Sequence, residues 1–83
     1  MTKILFSKHA LEQIAQRNIE IEIVQNVIDQ PDSMDQSELS NVIYQKKVKF
    51  ENEDFLVRVF VNQINEPHLV ITAYKTSKLN KYK

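Results

Sequence analysis

Four side chains suited to handling phosphate or protons stand apart in this sequence: His9, Arg17, Arg58 and Tyr74. The chain has nine lysines but only two arginines. Arginine is the better phosphate ligand, because its planar guanidinium donates two parallel hydrogen bonds where lysine offers a point charge. Histidine as a free side chain titrates near neutral pH and suits general acid or base work. A free phenol is protonated at neutral pH, so tyrosine is a more natural acid than base. Each has an ordinary structural reading as well. His9 can pack against a sheet at a helix start, and Arg17 can sit as a favourable charge at a helix C-terminus. Arg58 can spread its stem over apolar neighbours on a solvent face. Tyr74 can serve as a cross-strand contact.

The elements that position these residues follow from patterning. Ser7 is a plausible N-cap for a helix from Lys8 to Asn18, where Leu11, Ile14 and Ala15 fall at helical spacing. His9 and Arg17 on that helix are rotated by about 80° and separated by about 12 Å along the axis, so they can line one groove without touching. Asn18 can end the helix in the left-handed region. The next run alternates like a strand at Ile19 to Ile23, yet Ile21, Val24, Val27 and Ile28 recur at helical intervals. A second helix from about Glu20 to Asp29 is expected, its first-turn acid favoured by the dipole and its end set by Pro31. Pro31 to Ser40 reads as a polar, acidic loop. Three strands are expected after it, over about Asn41–Phe50, Phe55–Val61 and Leu69–Lys75, joined by hairpins. In the second of these, Phe55, Val57, Val59 and Val61 share one face, so Arg58 lies on the other beside Leu56 and Phe60. A charge there is costly unless it is paired or faces a cleft. Tyr74 is placed on the face of Val70 and Thr72. If the last two strands pair, Arg58 and Tyr74 point to the same side. The expectation is therefore one α+β domain over residues 1–83, two N-terminal helices packed on a small antiparallel sheet.

Composition excludes several chemistries. With 83 residues and 42% apolar content the chain is one globular domain. There is no cysteine, hence no disulfide or thiolate metal site, and a cytoplasmic location is expected. No glycine is present, which rules out glycine-dependent phosphate loops and dinucleotide fingerprints. His9 and His68 fall in different elements and no His-x-x-x-His or acidic-pair metal signature occurs, so no metal or other cofactor is expected. No serine sits on a strand–turn–helix elbow. No run of about 18 apolar residues exists to cross a membrane, and the N-terminal apolar run is too short for a signal peptide. Net charge is zero but unevenly placed. Six acids and no lysine or arginine lie between Glu20 and Glu38, whereas Lys75, Lys78, Lys81 and Lys83 close the chain without an acid. Both runs read as solvated surface, or as an acidic side for a basic partner and a basic end for a polyanion. Tyr82 between Lys81 and Lys83 suits stacking on a base.

The stretch from Phe6 to Ile19, with its His9-Ala10 pair and Arg17-Asn18-Ile19 ending, resembles the opening of the DUF4258 family. Asp29-Gln30-Pro31 and the run from Val70 to Tyr82 are similar to later parts of that family, and Arg58 matches an arginine in its strands. The resemblance implies a fold related to the RelE/ParE toxins, including the BrnT branch. It implies the toxin of a type II toxin–antitoxin pair, a metal-independent endoribonuclease acting on messenger RNA, free or ribosome-bound. A small antitoxin of the DUF2283 type is the implied partner. By match, His9, Arg17, Arg58 and Tyr74 become the catalytic candidates, with Lys75 and Lys78 as auxiliary cations. The basic tail adds Lys81 and Tyr82 to Lys75 and Lys78 as RNA-binding candidates. In the implied reaction a ribose 2′-hydroxyl attacks the adjoining phosphate, His9 or Tyr74 moves a proton, and Arg58, with Arg17 or Lys75, stabilises the phosphoryl charge. The chain departs from the family at Asn18, where glycine is usual, and at Gln13, where arginine is frequent. Its zero net charge also departs from the strongly basic RelE group. Two alternatives share the fold: a non-catalytic module binding protein or nucleic acid, and a gyrase-directed toxin.

Overall fold

A computed structural model describes residues 4–36, 41–64 and 67–77 of the chain. The order of elements is β1 (Ile4–Phe6), α1 (Lys8–Gln16), α2 (Ile21–Asp29), β2 (Ser33–Gln36), β3 (Asn41–Phe50), β4 (Glu53–Asn62) and β5 (His68–Thr76). The fold is α+β, with both helices and one mixed five-stranded sheet ordered β1-β5-β4-β3-β2.

Local chemistry explains the element ends. Ser7 caps α1, its Oγ accepting from the Ala10 amide at 3.0 Å, which satisfies one of the free donors of the first turn. Asn18 has φ 56°, and this left-handed residue turns the chain so that the Ile19 amide donates to the Ile14 carbonyl at 2.9 Å. Ile19 is thereby buried at the α1–α2 junction. Glu20 is the N-cap of α2 and makes no side-chain cap bond, so only Glu22 and the dipole favour that end electrostatically. The β3–β4 link shortens to Glu51-Asn52, with φ 48° and 68°. Two consecutive left-handed residues give the primed turn whose twist suits a hairpin. Asn52 tolerates that region, whereas Glu51 takes it without the local hydrogen-bonding side chain that favours it.

The helices bury Ala10, Ile14, Val24, Val27 and Ile28 against Val42, Tyr44, Val57, Val59, Val61, Val70 and Ala73 of the sheet. Val24, Val27, Val57, Val59, Val61 and Val70 are fully buried. Each stabilises the fold by about 1.5 kcal/mol or more relative to exposure.

Two expectations need correction. The sheet is not three antiparallel strands. Ser33–Gln36, inside the expected loop, pairs antiparallel with β3, and Ile4–Phe6 pairs parallel with His68–Val70. Every residue of β2 is exposed, so no burial pattern marked it as a strand. Pairing with β3 forms it. Likewise, Tyr74 does not share a face with Val70. The β4–β5 register shifts at Phe60/Val61, pairing Phe60 with Thr72 and Val61 with Val70. The extra residue, Ile71, turns Val70 into the core while Thr72 and Tyr74 face away from it.

Candidate functional site

Alternation about the buried valines puts a second set of side chains on the sheet face away from the core. Arg58 of β4 pairs in register with Tyr74 of β5 and with Gln45 of β3, and Gln45 pairs with Ser33 of β2. These residues form one row across four strands, tied by hydrogen bonds. Arg58 Nη1 donates to Tyr74 Oη at 2.6 Å. Arg58 Nε donates to Gln45 Oε1 at 2.8 Å. Gln45 Nε2 donates to Ser33 Oγ at 3.1 Å and to Asp35 Oδ2 at 3.3 Å. The row thus runs from a carboxylate through a carboxamide and a guanidinium to a phenol.

Aromatic rings flank it. Phe60, one step along β4 on the same face, stacks with Tyr74 at 6.1 Å and an interplanar angle of 27°. The Arg58 guanidinium carbon lies 5.6 Å from the Phe60 centroid and 5.8 Å from that of Tyr74. Attraction to the ring quadrupoles, added to two hydrogen bonds, offsets the cost of holding a half-buried charge in mid-strand.

Helix α1 runs beside β5 beyond the end of β1. His9, Gln13 and Arg17 lie four residues apart and so form one stripe of that helix. Thr72 Oγ1, on the face of Arg58 and Tyr74, donates to Gln13 Oε1. Arg17 Nη1 donates to the same Gln13 oxygen at 3.2 Å and to the Ala73 carbonyl at 2.7 Å. The stripe therefore binds the β5 edge that β1 leaves unpaired.

The structure brings Arg58 and Tyr74 into direct contact. Arg17 instead binds the backbone carbonyl of Ala73, the residue before Tyr74. His9 is exposed and has no hydrogen-bond partner among the described residues; it lies one turn from Gln13 on the α1 stripe. Lys75 is on the other face, paired in register with buried Val57. Its Nζ lies 4.3 Å from the Phe50 ring centroid. Lys78, Lys81 and Tyr82 lie outside the described residues. Among the described residues no group of three His, Asp or Glu is placed to hold a metal ion, and no helix is long and apolar enough to cross a membrane. The participants that sequence reasoning missed are Gln45, Asp35, Thr72 and Gln13. Gln45 is 4% exposed, but that burial follows from its pairing with Arg58 and Ser33, and no signal in the sequence of β3 marks it.

A mixed sheet with both helices on one face, and an arginine–tyrosine pair beside the Phe60 ring on the other, defines a small α+β protein with a cationic, aromatic surface site. The family model described as "Domain of unknown function (DUF4258)" matches residues 6–75, and the chain belongs to that family. No curated protein and no solved structure matches the chain.

Proposed function

We propose that the chain is the toxin of a type II toxin–antitoxin pair, a RelE-like, metal-independent endoribonuclease acting on messenger RNA in the cytoplasm, held in check by a small antitoxin of the DUF2283 type. The observation that carries this reading is the 2.6 Å hydrogen bond from Arg58 to Tyr74 beside the Phe60 ring. A single-stranded nucleotide needs a cation for its phosphate and a flat ring for its base, and this face offers both within one row. In the reaction the ribose 2′-oxygen forms a bond to the adjoining phosphorus and the bond from phosphorus to the 5′-oxygen breaks. The products are a 2′,3′-cyclic phosphate and a 5′-hydroxyl. Arg58 stabilises the charge on the phosphoryl oxygens. Tyr74 Oη accepts from Arg58, which directs its own hydrogen away from the guanidinium, the arrangement required to protonate the leaving 5′-oxygen. His9, on the α1 stripe, is the candidate for taking the 2′-hydroxyl proton. Arg17 and Lys75 are bound elsewhere and leave Arg58 as the cation of this step.

The second reading is a non-catalytic module that binds RNA through the same face. Two observations favour it: His9 has no described contact with the Arg58–Tyr74 pair, and the net charge is zero. The experiment is expression of the chain alone in bacteria beside His9→Ala, Arg58→Ala and Tyr74→Phe, with growth and RNA ends followed. The nuclease reading expects new 5′-hydroxyl ends and growth arrest, both lost in folded Arg58→Ala and reduced in Tyr74→Phe. Intact RNA in all four cultures, with retained RNA binding by the original chain, would replace it with the binding module.

A further inference from the structure

On the helix side of the sheet a cleft of about 500 Å³ opens between the α1–α2 junction and the β3–β4 hairpin, with Lys75 in its wall. Its lining joins aromatic rings to acids. Phe50 and Phe55 meet edge to face, centroids 5.5 Å apart at 83°. Glu20, Glu51 and Glu53 contribute three exposed carboxylates. The Lys75 ammonium lies 4.3 Å from the Phe50 centroid and 5.4 Å from that of Phe55. None of these four charged groups forms an ion pair among the described residues.

Three carboxylates against one ammonium leave the cleft with a surplus of negative charge, and the ring pair already holds a cation by quadrupole attraction. The same lining repels phosphate, so the occupant is not RNA. With no three acids or histidines converging as metal ligands among the described residues, the cation that suits the lining is organic and spread out. A guanidinium fits best. It is planar, stacks on aromatic faces, is more weakly hydrated than an ammonium, and pairs bidentately with carboxylates.

We propose that this cleft is the docking site for an arginine side chain of a basic partner polypeptide, which takes the place of Lys75 on the Phe50 and Phe55 rings. The acid-rich run that begins at Glu20 then steers the basic segment toward the cleft. Lys75 and Tyr74 are neighbours on opposite faces, so this docking is independent of the Arg58–Tyr74 pair and of the nuclease reading.

The test titrates the isotope-labelled full chain with acetylated, amidated tetra-arginine, and separately with spermine of the same charge, following the ring resonances of Phe50 and Phe55. With tetra-arginine both rings shift. Two lost charge pairs in Glu20→Gln/Glu53→Gln weaken binding about tenfold. Lys75→Met, which removes the resident cation, tightens binding about threefold or more. Spermine binds more weakly than tetra-arginine. The proposal is overturned if the two rings do not move while acids elsewhere do, or if the double variant binds like the original chain. Weaker binding by Lys75→Met would also overturn it, and spermine matching tetra-arginine would overturn the assignment to arginine.

Discussion

Replacing Gln45 by methionine removes the link between β2 and Arg58 while keeping the volume of the side chain. Gln45 is 4% exposed, so water cannot take its place without a gap, and methionine leaves little cavity. Its two donations go to Ser33 and Asp35, both exposed and able to regain water; their loss costs little. The bond that matters is Arg58 Nε to Gln45 Oε1 at 2.8 Å. A hydrogen bond from a charged donor contributes about 1.5–3 kcal/mol net, and losing only its acceptor leaves the guanidinium partly desolvated. The expected loss is about 2 kcal/mol, from a total that for a chain of this size is about 4–12 kcal/mol. The variant therefore stays folded but melts about 8–16 °C lower. Thermal and urea unfolding of Gln45→Met, Arg58→Met and the double variant complete a cycle. A coupling of about 1.5 kcal/mol or more is expected. A coupling within about 0.5 kcal/mol of zero would show that Gln45 does not hold the arginine, and would refute the reading of the row as one connected unit.

Two further outcomes follow from the backbone. Glu51→Asn places a residue tolerant of the left-handed region at φ 48° in the β3–β4 turn. It should raise stability by about 0.5–1 kcal/mol in urea unfolding, with an unchanged denaturant slope. Arg17→Met removes the 2.7 Å, part-buried bond to the Ala73 carbonyl on the β5 edge that β1 leaves unpaired. It should cost about 0.5–1.5 kcal/mol and speed amide exchange in β5, while any RNA cleavage by the folded variant persists.

What the residues disclosed in advance was mostly local. A serine before Lys8, an asparagine after Arg17 and a proline after Gln30 each act on the nearest turn, and each acts there as physical chemistry requires. The strand from Asn41 to Phe50 was read with its observed ends because Val42, Tyr44, Val48 and Phe50 fall on one alternating face, buried at Val42 and Tyr44 and half-buried beyond them. Pairings distant in sequence were not legible. The parallel contact of β1 with β5 joins residues more than sixty positions apart, and its three-residue strand carries too little pattern to announce it. Polar β2 is visible only through its neighbour. The bulge at Ile71 is a feature of two strands together, and one strand's alternation cannot show it.

The site divides along the same line. Arg58 beside Tyr74 was accessible, because alternation put Arg58 opposite the valines and hairpin pairing put β5 next to β4. Gln45 was not accessible, since its meaning depends on which β4 residue it faces. Grouping Lys75 with Tyr74 was avoidable on alternation alone: consecutive strand residues point to opposite faces, so a lysine next to the phenol belongs with Val57 and Phe55. That separation gives physical content to the zero net charge. Charge has not been spread evenly to neutrality. Arg58 is held among rings and polar groups on one face, while Glu20, Glu51 and Glu53 gather around a caged ammonium on the other. RNA attraction on the first face must therefore come from stacking and one well-held guanidinium rather than from a broad basic field, whose affinity would fall steeply with salt. These three glutamates lie across the sheet from that guanidinium, where they disturb a bound phosphate less than Asp35 at the end of its own row and are placed for a basic partner.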